Sequence, residues 1–231
     1  MSEPTTGPAV SPLHDPVVHA VIERVRGGGR PGGGSGGPDG RGGQGRPGAG
    51  GHNGRPARDP FQFAERAFPV QAEQGDLMYL LCRAIGATRV AEFATSLGVS
   101  TLYLTAAVRD NGGGIVIGSE IVPAKAEAAR ANLADAGLDG YAEIRVGDVL
   151  ETFADLGGPV DFLLVDGWPI GREPSLARSV IEMAAPQLRR GAIVVNDNAE
   201  DDYLAYVRDP ANGFLGMSLP LKGGTEVSVR V

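Results

Sequence analysis

The stretch RVAEFATSLGVSTLYLTAAVRDNGGGIVIGSE, residues 89–120, decides the fold. It begins with a strand-sized run, Arg89 to Phe93, and passes through a turn of small residues, Ala94 to Gly98. A helical stretch from Ser100 to Val108 follows, and after a glycine cluster a second apolar run spans Gly114 to Glu120. A strand, a crossover helix and a second strand within so short a span imply parallel pairing with the helix packed on one face.

The same rhythm continues downstream. Strands are expected at Ala142 to Val146, Val160 to Asp166 and Ala192 to Asn196. Between them, helices are expected at Pro123 to Ala136, Leu150 to Leu156 and Ser175 to Leu188, with one more ahead of the first strand, Gln71 to Ile85. FLLV and AIVV are continuous apolar runs, as strands covered on both faces should be. After Asn198 the pattern changes to a short helix near Asp202 to Val207 and two strand-like runs, Gly213 to Leu219 and Thr225 to Val231, joined by the hairpin sequence PLKGG. The expected architecture is α/β: a Rossmann-like, doubly wound, mostly parallel sheet of seven strands, closed by a C-terminal antiparallel hairpin.

The N-terminal region is different. Asp15 and Pro16 cap and open a short amphipathic helix, DPVVHAVIERVR. Then 16 of the chain's 36 glycines fall between Gly27 and Gly54. That tract has too few apolar side chains to offset the entropy of ordering it and is expected to be disordered. The division is therefore 1–60, helix plus Gly/Arg-rich tether, and 61–231, the folded domain. Net charge is −7 overall, but residues 61–231 carry 14 basic and 23 acidic groups. A surface so acidic repels a phosphate backbone and argues against nucleic acid as a partner. The lone Cys82 excludes an internal disulfide and fits the cytoplasm. No apolar stretch suits export or a membrane span. The tethered helix could reach a neighbouring subunit, which allows a homodimer. All three histidines, His14, His19 and His52, lie in the tail, so the domain works without the commonest general base.

In open α/β sheets ligands bind beyond the carboxyl ends of the strands. Each of the five expected parallel strands delivers an acid there: Glu92, Glu120, Asp148 (after Gly147), Asp166, and Asp197 followed by Asn198. Any one of them could simply cap a helix. Five together repel one another unless donors or cations lie between them, as an amine-bearing, cationic ligand with ribose hydroxyls and a divalent metal would. The turn carries only Gly98 where a dinucleotide fingerprint wants three glycines, which weakens a nicotinamide reading. Glu120, 22 residues after Gly98, stands where an acid commonly accepts from ribose hydroxyls.

With VAEFATSLGVST, SEIVPAKAEAARANLADAGL, VDFLLVDGW, VVNDNAE and YLAYVRDPANG, the chain from about Val70 to Val231 resembles the metal-dependent class I O-methyltransferases of the catechol and caffeoyl-coenzyme A type. A closing antiparallel pair is also the arrangement of that family. The resemblance implies S-adenosyl-L-methionine as cofactor and a small-molecule hydroxyl as methyl acceptor. It implies that Glu92, Ala94, Thr95 and Ser100 line the methionine end of the cofactor, with Val70 approaching from the preceding segment. Glu120 would hold the ribose, and Asp148 with Val149 would face the adenine. Asp166 would be catalytic, and Asp166, Asp197 and Asn198 would bind a metal. Oxygen donors of this kind suit Mg2+ or another hard divalent cation. Asp197 and Asn198 can converge only if the strand has ended there.

The chain departs from the family in three places. Pro169 stands where a lysine taken as general base is often found, and the only lysines are Lys125 and Lys222. Ala94 replaces the first loop glycine, and the loop around PLKGG is minimal. Trp168 is expected either to wall the pocket or to sit in the core. The lost lysine motivates an alternative, a cofactor-binding partner or regulatory protein without transferase activity.

Overall fold

The computed structural model describes residues 11–28, 59–64, 66–167, 172–222 and 224–231. The glycine tract beyond Gly28, Trp168 and Pro169 lie outside the described residues. Seven strands form one sheet: β1 (Arg89–Phe93), β2 (Ile115–Glu120), β3 (Ala142–Val146), β4 (Val160–Val165), β5 (Leu188–Asp197), β6 (Phe214–Leu219) and β7 (Thr225–Arg230). Their order is β3-β2-β1-β4-β5-β7-β6. The first five are parallel, while β7 runs antiparallel to both β5 and β6. The order therefore reverses between β1 and β4, which opens a crevice above their carboxyl ends.

Two layers of helices cover the sheet. One face meets α1 (Pro16–Arg26), α2 (Ala72–Ala84), α3 (Val99–Asp110) and α4 (Pro123–Asp135), and the other meets α5 (Val149–Thr152), α6 (Leu176–Ala184) and α7 (Asp201–Arg208). The two-residue period of a strand is visible in β4: Phe162 and Leu164 join the first core, Leu163 and Val165 the second. All four are buried, each contributing about 1.5–3 kcal/mol on transfer from water.

The expected helix boundaries need adjustment for local reasons. α6 ends at Ala184, because Pro186 cannot donate to the next turn and only a 3-10 turn, Ala185–Gln187, follows. β5 then begins at Leu188, four residues before Ala192, its pairing with β4 interrupted by an irregularity between Val160 and Phe162. α5 stops at Thr152 rather than Leu156.

α1 forms as its sequence requires. The Asp15 carboxylate accepts from the N–H groups of Val17 and Val18, and Pro16 starts the helix. Its apolar face, Val18, Val21, Ile22 and Val25, is buried in the same core as α3. Asp15 pairs with Arg109 on α3 at 2.7 Å, and Arg24 reaches Asp135 on α4 at 2.7 Å. Two further contacts carry α1 toward the crevice: Arg24 donates to Asn132, whose amide donates to the Leu97 carbonyl, and Arg26 donates to the Val70 carbonyl.

Below the sheet, Asp161 at the start of β4 pins the start of β1. One oxygen accepts from the N–H groups of Thr88 and Arg89, each at 2.8 Å, and the other from Arg189.

Candidate functional site

The turn after β1 shapes the crevice. Ala94 and Ser96 adopt positive φ, 69° and 52°, and Gly98 follows at 85°. Side-chain-bearing residues rarely hold that region without compensation, and such strain concentrates at ligand sites. Here the compensation is explicit: the N–H groups of Ala94 and Thr95 both donate to the Ser119 carbonyl, at 3.0 and 3.1 Å. The Ser96 N–H donates to the Glu120 carboxylate at 2.7 Å. Gly118 on β2 leaves room for Thr95, since a Cβ there would lie 2.4 Å from the Thr95 hydroxyl oxygen.

Glu92 is fully buried beneath this turn. Its Oε2 accepts from Thr95 at 2.9 Å and from Thr101 at 2.5 Å, whereas Oε1 is buried with no hydrogen-bond partner. Burial pushes its carboxyl pKa up, the hydroxyls of Ser100, Thr101 and Thr95 pull it back, and the charge of Glu120 adds to the rise. A buried carboxylate oxygen without a donor is costly and aims at a ligand that can supply one.

A narrow cleft lies here, walled by the segment 67–70, the turn 94–97, Val99, Ser100 and Asp166. Of the residues expected to line the methionine end, Val70, Ala94, Thr95 and Ser100 therefore do converge, with Glu92 hydrogen-bonded to Thr95 on that wall. Glu120 stands at the end of β2, and its other oxygen accepts from the Val122 N–H at 2.9 Å. Asp148 is exposed and caps α5 through the Leu150 N–H at 2.8 Å, with Val149 buried next to it. Neither lines the cleft. They lie beside Glu120, since the Gly147 N–H donates to the Glu120 carbonyl.

The expected metal ligands occupy the next part of the rim. Asn198 has φ 65°, so the chain leaves the strand register immediately after Asp197, and the Asn198 amide turns back to donate to Asp197 Oδ2 at 3.3 Å. Asp197 is 2% exposed, and its Oδ1 accepts from Gln74 on α2 at 3.0 Å. Lys222, from the hairpin between β6 and β7, makes a hydrogen-bonded ion pair with Asp197 Oδ2. Burial and the charge of Asp197 push the Asp166 carboxyl well above the usual range, opposed by Lys222. Burial alone would lower the Lys222 pKa, but Asp166 and Asp197 outweigh it and raise it.

Sequence reasoning missed Gln74 and the role of Lys222. The scarcity of lysine was the one available signal, because of two lysines only Lys222 lies in a loop following the acidic strands.

Residues 91–199 match the model of a family described as "Methyltransferase domain". The match covers a little under half of the chain. The chain is 39% identical over 130 residues to a catechol O-methyltransferase of Mycobacterium tuberculosis, 56% of each chain. The aligned segments span little more than half the length of the curated relatives they match. Among solved structures, cofactor-bound Rv0187 from MTB is similar at 28% identity and a TM-score of 0.61, covering 73% of this chain and 85% of that one. The O-methyltransferase TomG of Streptomyces achromogenes, solved in complex with SAM, is similar at 25% identity and a TM-score of 0.59, covering 74% and 85%. The chain is thus similar over this region to catechol O-methyltransferases and to solved O-methyltransferases.

Proposed function

We infer that the protein transfers a methyl group from S-adenosyl-L-methionine to a hydroxyl oxygen of a small molecule. The observation that carries this is Glu92, a buried carboxylate with one oxygen lacking a donor, beside a turn held at positive φ. A ligand ammonium would satisfy that oxygen through a charge-assisted hydrogen bond. The chain's resemblance to O-methyltransferases, one of them solved with SAM, supports the same reading.

The residues divide the work. Glu92 holds the amine, while Val70, Ala94, Thr95 and Ser100 wall the methionine end. Glu120 keeps lone pairs for ribose hydroxyls beyond those used by the Ser96 and Val122 N–H groups. Asp148 and Val149 serve the adenine end. When bound, S-adenosyl-L-methionine supplies a methyl carbon whose bond to sulfur breaks as its bond to the acceptor oxygen forms. Asp166, the acid on the cleft wall, takes the hydroxyl proton. The protein's remaining contribution is alignment, which can account for several kcal/mol of a barrier.

A divalent metal at Asp166, Asp197 and Asn198 does not fit this arrangement. Lys222 already pairs with Asp197, so a divalent cation there would meet a like charge at that carboxylate. No step is assigned to a metal.

The test is calorimetry with S-adenosyl-L-methionine and S-adenosylhomocysteine, followed by methyl transfer to a panel of catechols and other phenols. Binding of both with transfer to at least one hydroxyl is expected. An absence of affinity for either ligand would overturn the assignment.

A further inference from the structure

We propose that Lys222 is a built-in cation that takes the place of a divalent metal at the acceptor side of the cleft, so that this protein methylates its acceptor without a bound metal ion. The proposal rests on the methyltransferase reading for the chemistry, but its placement of the cation stands on the rim geometry alone.

Three observations carry it. The first is position: the Lys222 ammonium is ion-paired to Asp197, a carboxylate that any metal held at this rim would have to share. The second is charge compensation. Asp197 Oδ1 is taken by Gln74, and Oδ2 by both Lys222 and Asn198, so no Asp197 oxygen is left without a donor. A metal would have to displace Lys222 or tolerate its like charge at close range.

The third observation is construction. Lys222 holds φ 48°, a conformation that a lysine rarely adopts. The turn is closed by the Gly224 N–H donating to the Leu221 carbonyl at 2.8 Å and by the Thr225 hydroxyl donating to the same carbonyl at 3.3 Å. Thr225 also accepts from Gln74 at 3.0 Å, so one amide group ties the hairpin to Asp197. Strain and cross-bracing both aim the side chain at the rim. An ammonium has three donors; Asp197 takes one, and the others can bind the acceptor's oxygen and favour its ionised form.

The experiment uses the full chain and Mn2+ as a paramagnetic stand-in for Mg2+. Wild type, Lys222→Met and Lys222→Arg are titrated with Mn2+ in the absence of cofactor and followed by electron paramagnetic resonance, and transfer to catechols is measured with chelator and with Mg2+. Wild type should bind Mn2+ no more tightly than about 1 mM and turn over equally in chelator. Lys222→Met should bind Mn2+ at least ~10-fold more tightly than wild type and should lose at least ~10-fold of its chelator-resistant turnover, while Lys222→Arg stays metal-free. Stoichiometric Mn2+ binding by wild type, turnover abolished by chelator and restored by Mg2+, or a soluble Lys222→Met with unchanged Mn2+ affinity would each overturn the proposal. Should Lys222→Met fail to fold, the wild-type titration decides alone. Because Mn2+ is titrated without cofactor, failure of the methyltransferase reading would register only in the cofactor calorimetry.

Discussion

Replacing Glu92 with glutamine separates a ligand-holding acid from a structural one. In the free protein the carboxylate is fully buried, receives two hydroxyl donors on Oε2 and none on Oε1. Neutralising it weakens two charge-assisted bonds to ordinary ones, a loss of about 1 kcal/mol each. It also removes the penalty for a buried charge, which is several kcal/mol. The free variant should therefore be as stable as wild type or more so. The sign with pH follows from the raised pKa of Glu92. A carboxyl group whose folded pKa exceeds its unfolded value stabilises the fold below the unfolded value, about 4.3, and loses that contribution as pH rises through the folded value. The advantage of Glu92→Gln should consequently grow from acid toward neutral pH. Cofactor binding should move the other way: losing a charge-assisted bond to the ammonium is worth about 1.5–3 kcal/mol, roughly 10- to 150-fold in Kd. Urea unfolding of the free proteins between about pH 5 and 8, beside calorimetry with S-adenosylhomocysteine, reads both effects. A variant destabilised by more than about 1 kcal/mol, with Kd changed less than about threefold, would refute the reasoning and make Glu92 a structural acceptor.

Asp161→Asn should destabilise the fold by about 2–3 kcal/mol, an allowance that discounts Arg189 because its side chain is 35% exposed. Burial alone would raise the Asp161 pKa, but Arg189 and the N–H groups of Arg89 and Thr88 lower it overall. Its stabilisation is therefore present above the unfolded value, about 3.9, and lost as pH falls through the folded one. The variant's acid-unfolding limb should be shallower than that of wild type, and identical limbs would count against the role of Asp161. Gly118→Ala brings a Cβ to 2.4 Å from the Thr95 hydroxyl and 2.9 Å from Ile144 Cδ1, so Thr95 must rotate away from Glu92. A loss of about 1–3 kcal/mol with weaker S-adenosylhomocysteine binding is expected, and unchanged affinity would show that Thr95 is dispensable to the pocket.

What the sequence made legible was local or periodic. The run RVAEF, the turn and IVIGSE announce a parallel unit on their own, and from the strand ends the five acids follow at one edge. The N-terminal helix was equally readable, because Asp15 and Pro16 form a cap that acts within one turn. Ala94 was noticed as a substituted glycine, and its φ of 69° gives the physical reason glycine is favoured there. Gln74 and Lys222 were not legible. Their partner, Asp197, lies 123 and 25 residues away, and nothing in the composition around either residue marks the pairing. The strand pairing β5 with β7 brings Thr225 opposite Asp197, and only that register carries the hairpin lysine to the rim.

An acidic rim need not be uniformly hungry for cations, and the partners decide which acids are. Glu120 and Asp148 each accept from backbone N–H groups, a satisfied arrangement that also serves the turns they brace. Asp197 is neutralised by Lys222 and held by Gln74. Two acids of the rim stand under tension: Glu92, with its donorless Oε1, and Asp166, whose carboxyl is driven up in pKa by burial and by Asp197. Asp166 lies on the cleft wall itself, and Glu92 is joined to it through Thr95. Repulsion and desolvation are therefore not spread evenly along the sheet edge but concentrated at Glu92 and Asp166, the two acids to which the proposed methyl transfer assigns the ligand's ammonium and the acceptor's proton.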